Sequence, residues 1–235
     1  MANMIALNGS TGRGKSTSLF HVKTDTVEIK GLNPKETYFI NVSGKPFPNN
    51  TKDYKDGKIS EGGNYKVTRS PETIEKLIKK IDTEAECKHI KNVVVDDSTY
   101  LQLFTFMDKI DTKGYDKFND IGNAIYKPLK AASECKREDL NIIFIFHPEK
   151  DNDSQIKVKT AGKLVDQYLM IEGMFTFVFY ANSRRNVLEK RIEYYFETQS
   201  DGYTTSKTPI GCFKDFEIPN DMGYVIDCIN NFYKI

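Results

Sequence analysis

The sequence offers little that would carry the chain onto a polyanion or into a bilayer. Its 34 Lys and Arg stand against 33 Asp and Glu, a formal net charge of +1 over 235 residues. No global field therefore draws it to nucleic acid or a membrane surface, and any polyanion contact must come from a local patch or from several subunits acting together. No apolar stretch is long enough to span a bilayer. The N-terminus lacks the charged and apolar regions of a secretory signal, and a first strand is expected from Met4. Cys87, Cys135, Cys212 and Cys228 form no C-x-x-C pair. They read as reduced thiols of a cytoplasmic protein rather than as metal ligands. Internal repeats, low-complexity tracts and convincing linkers are missing as well.

What is present is a succession of short apolar runs. Met4–Leu7, Thr37–Val42, Asn92–Val95, Asn141–Phe146 and Phe175–Tyr180 are rich in β-branched and aromatic residues. Near-continuous runs such as Val93-Val94-Val95 suit strands buried on both faces of a parallel sheet. Helical patterns lie between them. Ser70-Pro71 leads into Ile74, Leu77, Ile78 and Ile81, a cap and a first-turn proline before an apolar stripe. A second pattern runs from about Phe118 to Cys135, with an interruption expected near Pro128. The alternation predicts an α/β fold, a RecA-like P-loop core with a mostly parallel central sheet flanked by helices. With 39% hydrophobic residues, residues 1–235 read as one domain, and about 191–235 as its β-rich C-terminal extension. Arg191–Thr198 alternates as a strand does, and Gln199–Tyr203 reads as a hairpin turn. Gly44 through Asn64, rich in Pro, Gly and Lys, reads as a long surface excursion.

One motif has a specific chemistry. After the first apolar run come Gly9, Ser10, Thr11, Gly12, Arg13, Gly14, Lys15, Ser16 and Thr17, which contain the spacing G-x-x-x-x-G-K-S. Glycines let successive backbone N–H groups turn inward onto a phosphate. Lys15 would reach the β- and γ-phosphates and the Ser16 hydroxyl would ligate Mg²⁺. Ser16–Val22 is expected to start a helix whose dipole adds to the phosphate site. The motif implies a nucleoside triphosphate, with ATP and Mg²⁺ as cofactors.

Such a loop needs a carboxylate at the tip of a neighbouring buried strand. Asn92–Asp97 supplies two: Asp96 is the candidate for the metal shell, and Asp97 for orienting or deprotonating the attacking water. Either aspartate could instead cap a helix starting near Ser98. His147 ends the next buried run, where it could sense the γ-phosphate or simply close a strand into solvent. Beyond it, the polar segment Pro148–Lys163 carries Lys157, Lys159 and Lys163, which could follow a phosphodiester backbone; three acids in the same segment favour a merely solvated loop. Lys207, near a terminal β element, could enter a neighbouring subunit's nucleotide site or be an ordinary surface lysine.

Taken in order, several stretches resemble phage-encoded AAA-family ATP-binding proteins, a core-only RecA-like group related to recombinases and associated with single-strand annealing. The likeness covers nearly the whole chain and rests on Gly9–Ser16, Asn41–Pro46, Val93–Asp97, Phe146-His147, Gly162–Leu164, Glu172–Thr176 and Thr205–Gly211. It implies ATP, Mg²⁺, a homo-oligomer, single-stranded DNA as partner, a trans-acting Lys207, and work beside phage or host recombination proteins. One departure stands out. RecA-type recombinases carry a glutamate just after the second strand, where this chain reads Asn41-Val42-Ser43-Gly44-Lys45, with no acid. Either Asp97 takes that role or ATP acts mainly as an assembly switch. Two other readings compete: a nucleotide kinase, with Arg184, Arg185 and Arg191 as a phosphate clamp, and an assembly ATPase with a protein partner.

Overall fold

The computed structural model describes residues 1–114, 116–151, 153–161 and 169–234. Strands β1 (Asn3–Asn8), β4 (Thr37–Asn41), β5 (Tyr65–Val67), β6 (Asn92–Asp96), β7 (Asn141–Ile145), β10 (Phe177–Asn186), β11 (Arg191–Glu197) and β12 (Glu217–Pro219) form one eight-stranded sheet. Its order is β12-β11-β10-β1-β7-β6-β4-β5. The six strands from β10 to β5 run parallel, and β11 and β12 continue the sheet antiparallel. This is the mostly parallel, helix-flanked RecA-like core that the alternation of runs predicts. Short hairpins β2–β3 (Val22–Lys23, Glu28–Ile29) and β8–β9 (Pro148–Lys150, Ile156–Val158) lie outside it.

The runs are apolar throughout because both faces of the sheet are covered. Successive residues go to opposite sides. Met4 and Ala6 of β1, Tyr38 and Ile40 of β4, and Ile142 and Phe144 of β7 enter one core, and Ile5, Leu7, Phe39, Ile143 and Ile145 enter the other. Helices α1 (Pro71–Thr83), α2 (Thr99–Asp108) and α3 (Asp116–Ser133) cover the first face, with Ile74, Ile78, Leu101, Ile125 and Leu129 turned inward. The second is covered by α4 (Met222–Tyr233) through Met222, Val225 and Ile229. Each buried Leu, Ile, Val, Phe or Met contributes about 1.5–3 kcal/mol relative to exposure. The C-terminal extension therefore adds two strands and also a helix that sequence reading did not name.

Five local expectations are corrected. Helix α3 runs through Pro128 without interruption; burial of the stripe Ile121, Ala124, Ile125 and Leu129 outweighs the cost of a proline inside a helix. The helix expected at Ser16–Val22 reduces to one 3₁₀ turn, Thr17–Leu19. Ser16, Thr17 and Ser18 are weak helix formers, and Phe20 turns extended (φ −110°, ψ 148°) to bury its ring. The excursion at 44–64 is not purely superficial, because Phe47 packs with Phe20, Phe39 and Tyr65, and Tyr54 with Phe20 and Phe39, at ring-centroid distances of 5.0–5.7 Å. Gln199–Tyr203 is not a tight hairpin turn; it is the first part of the long connection from β11 to its antiparallel partner β12. The segment after His147 is the β8–β9 hairpin rather than an irregular loop.

Candidate functional site

The loop leaves β1, whose two parallel neighbours are β7 and β10, and β7 separates it from the acid-bearing β6. The carboxyl ends of β1, β7, β6 and β4 thus converge where ligands bind in open α/β sheets. Loop shape is imposed by its neighbours. Gly14 has φ +79°, and a Cβ on it would stand 2.7 Å from the Asn220 Oδ1, so only glycine fits. Asn220 Nδ2 donates to the Arg13 carbonyl at 3.3 Å, and Arg13 Nη1 donates to the Ser183 carbonyl of β10 at 3.1 Å. Arg13 thus braces the loop. Lys15 is buried, and its Nζ donates to the carbonyls of Gly9 (2.5 Å) and Ser10 (3.0 Å). Burial lowers its pKa to about 8, against the pull of Asp97 and Asp96.

Across the sheet, Ser16 Oγ donates to Asp96 Oδ1 at 3.3 Å, joining residues 80 apart in sequence. The same oxygen accepts the Asp97 N–H at 3.0 Å. Burial, and then the charge of Asp97, raise the Asp96 pKa to about 7. A buried carboxylate pushed up in this way, beside a hydroxyl, is a set of hard oxygen donors deficient in positive charge, and it fits Mg²⁺. Asp97 goes the other way. Burial alone would raise it, but the contacts with His147 and Lys45 and the nearby Ser43 hydroxyl hold it well below the usual carboxylate range. Its backbone is left-handed (φ +60°), a costly conformation for a residue other than glycine. His147 Nε2 lies 3.2 Å from Asp97 Oδ1, and the His147 N–H donates to Thr99 Oγ1 at 2.9 Å.

Sequence reading missed Lys45. Its Nζ lies 2.7 Å from Asp97 Oδ2 and 5.3 Å from the centre of the Tyr100 ring. The turn carrying it is built by the buried Asn41 at the end of β4. Asn41 Oδ1 accepts from Gly44 N (2.8 Å) and Ser43 Oγ (3.3 Å), and its Nδ2 donates to the Lys45 carbonyl (2.8 Å) and the Tyr65 hydroxyl (3.0 Å). Gly44 takes φ +71°. The available signal was the Asn-x-x-Gly-Lys pattern directly after a buried strand, a side-chain-capped turn. Lys15, Ser16, Lys45, Asp96, Asp97 and His147 all line one cavity of about 260 Å³.

A larger groove of about 830 Å³ adjoins it at Gly12 and Thr17. Val27 and Ile29 of the β2–β3 hairpin and Ile192 and Tyr194 of β11 form its walls. Asp221 ties these parts together, accepting from Lys30 N (2.7 Å) and Gly31 N (3.0 Å) while capping α4 through Gly223 N (2.9 Å).

Other candidates lie apart. Lys207 pairs through its backbone with Val178, and its side chain is exposed, outside both cavities. Lys157 pairs with Glu149 at 3.4 Å, Lys159 is exposed, and Lys163 lies outside the described residues. Arg184 and Arg191 are engaged by Glu193 and Glu217, and by Glu189, respectively, which leaves neither as an unpaired phosphate clamp. No described helix is long and apolar enough to cross a membrane.

No family model and no curated protein matches the chain. Solved structures do match. One is a KaiC-like protein from the hyperthermophilic archaeon Pyrococcus horikoshii, 11% identical over 88% of this chain and 82% of that one, with a TM-score of 0.44. The fold assignment stands on the strand order and on the loop and acids at the strand ends.

Proposed function

We propose that this chain binds a nucleoside triphosphate with Mg²⁺ and hydrolyses it. The observation that carries the reading is the Ser16–Asp96 contact beside the buried Lys15, where a hydroxyl, a carboxylate and an ammonium from separate strand ends meet at a glycine-shaped loop. Backbone N–H groups of Gly12–Ser16 and the Lys15 ammonium take the phosphates. Ser16 and Asp96 would hold Mg²⁺, which supplies charge neutralisation for the phosphates when bound. The base and ribose extend past Thr17 into the adjoining groove. In the reaction a water oxygen bonds to the terminal phosphorus while the bond from that phosphorus to the bridging oxygen breaks. The electron pair leaves with the diphosphate, and Asp97, charged and steadied by His147, takes the water proton.

The finer role follows from the sequence resemblance: an ATPase acting on single-stranded DNA as a homo-oligomer, with Lys207 completing a neighbour's site. Exposure of Lys207 and Lys159 is compatible with that role. Steady-state phosphate release with and without single-stranded DNA, over a range of protein concentration, tests both levels. Stimulation by DNA with a steeper than linear concentration dependence supports the assembly; DNA-independent turnover removes the DNA role and keeps the NTPase. For the core reading, Asp96→Asn is expected to bind ATP within about threefold of wild type while releasing phosphate about 100-fold more slowly. Equal rates in variant and parent would move the metal to another carboxylate.

A further inference from the structure

We propose that Lys45 is a second phosphate-binding cation supplied within the same chain, which transfers from Asp97 to the terminal phosphate of a bound triphosphate and in doing so releases Asp97 for the attacking water. The inference rests on the nucleotide-binding reading above and adds a residue to it. Three features carry it.

The first is placement. Lys45 and Lys15 line the same small cavity, on opposite sides of the acid pair at the tip of β6. Lys15 is fixed by loop carbonyls, whereas Lys45 projects from the end of β4, on the side away from β1. Two ammonium groups from different walls suit an anion with several oxygens better than one does.

The second is mechanical. The shoulder of Lys45 is rigid and its arm is free. Its carbonyl is pinned by the buried Asn41 and its turn is set by Gly44. Its side chain, by contrast, is 60% exposed, against 10% for the Asp97 with which it pairs. The ammonium end of the pair is solvated, so a multiply charged phosphate entering the cavity can compete with the carboxylate for it. Tyr100 keeps the ammonium over its ring during the exchange.

The third is the state of Asp97. Its Oδ2 is taken by Lys45 and its Oδ1 faces His147. Both oxygens already carry a partner, so a water must share the carboxylate with an ammonium that lies on its cavity side. Departure of Lys45 frees one oxygen, and the His147 contact continues to orient the carboxylate. Triphosphate arrival and activation of the base are thereby the same event, and a diphosphate, which lacks the terminal group, does not trigger it.

The test compares ATP and ADP binding, with excess Mg²⁺, in the full chain and in Lys45→Gln and Lys45→Arg. For Lys45→Gln the Kd for ATP should rise about 10- to 100-fold, as expected for loss of a charge-assisted hydrogen bond, and that for ADP less than threefold. Lys45→Arg should recover most of the ATP affinity. Because Lys45 is mostly exposed, thermal melting should change little and serves as the control for folding. Equal losses for ATP and ADP, or none, overturn the proposal while leaving the nucleotide-binding reading intact. A wild-type chain that binds neither nucleotide overturns both. The transfer itself is tested in an Asp97→Asn background, where the competing carboxylate is gone. The Lys45→Gln penalty on ATP binding should there grow about threefold, and an unchanged or smaller penalty refutes the exchange.

Discussion

Replacing Asn41 with alanine should separate the scaffold of the site from its chemistry. Asn41 stands in the cavity wall with no phosphate or metal contact assigned to it; it ends β4 and builds the turn that presents Lys45. The substitution removes four hydrogen bonds, to Gly44 N, Ser43 Oγ, the Lys45 carbonyl and the Tyr65 hydroxyl, from a side chain that is 3% exposed. At about 1 kcal/mol net per bond, with some of the freed groups reaching water at the turn, the loss is about 2–3 kcal/mol. For a chain of this size each kcal/mol lowers Tm by about 2–4 °C, so the midpoint should fall by about 4–12 °C. The loss should be local in function as well as global in stability. Below its midpoint, Asn41→Ala should bind ADP nearly as the parent does and ATP about 5- to 20-fold more weakly, because the freed turn no longer aims Lys45. Differential scanning fluorimetry and titration calorimetry on the same samples give both quantities. An unchanged Tm would refute the account of the turn; a lowered Tm with equal ATP and ADP losses would refute its link to Lys45.

Two further outcomes follow from other parts of the molecule. Tyr194→Ala in the groove should weaken ATP by about 5- to 30-fold through lost base stacking and leave tripolyphosphate binding unchanged; equal effects on both, by competition titration, would place the base elsewhere. Arg137 is 14% exposed at its side chain and donates to the carbonyls of Ile81, Cys87, Lys88 and Ile90 as well as to Asp139, so Arg137→Ala should lower stability by about 3 kcal/mol with little change in phosphate release per folded molecule. Arg137 and Lys91 lower the Asp139 pKa to about 2. That stabilisation is present above the unfolded carboxylate range near pH 4 and is lost as pH falls through about 2. The gap between parent and variant in acid titrations should therefore narrow between about pH 4 and pH 2, and a gap that widens there would refute the assignment.

The parts legible in sequence were those encoded by contiguous residues. The apolar runs gave the strands because each is buried on both faces, and G-x-x-x-x-G-K-S after the first of them gave the loop. Asp96 was legible because an acid that closes an apolar run adds nothing to the core and stands where open α/β sheets bind their ligands. What was not legible depends on partners far along the chain. Nothing near Phe20 announces that Phe47 and Tyr54 will draw its ring out of a helix. Nothing near Pro128 announces that α1 and α2 will pack on α3 strongly enough to keep it helical through a proline. The role of Lys45 was hidden for the same reason. The absence of an acid after β4 was visible, but the lysine in that stretch acquires meaning only when β6 brings Asp97 against it.

The missing helix and the extra lysine are two sides of one electrostatic problem. A full helix after a phosphate loop places roughly half a positive charge at the phosphates through its aligned peptide dipoles. The single 3₁₀ turn Thr17–Leu19 cannot accumulate that field, yet the phosphates of a triphosphate must still be neutralised in a cavity that already holds two adjacent carboxylates. Lys15, its charged form disfavoured by burial, and Mg²⁺ leave a deficit at the terminal phosphate. In the role proposed above, the Lys45 ammonium, its backbone fixed by Asn41, would supply the charge from the opposite wall. It also does what a fixed dipole cannot, since a side chain can hold the base inactive before the ligand arrives and free it afterwards. On the proposed reading the cation at the end of β4 would take over the charge that a helix dipole supplies elsewhere, while Phe20 joins the aromatic cluster with Phe39, Phe47 and Tyr54.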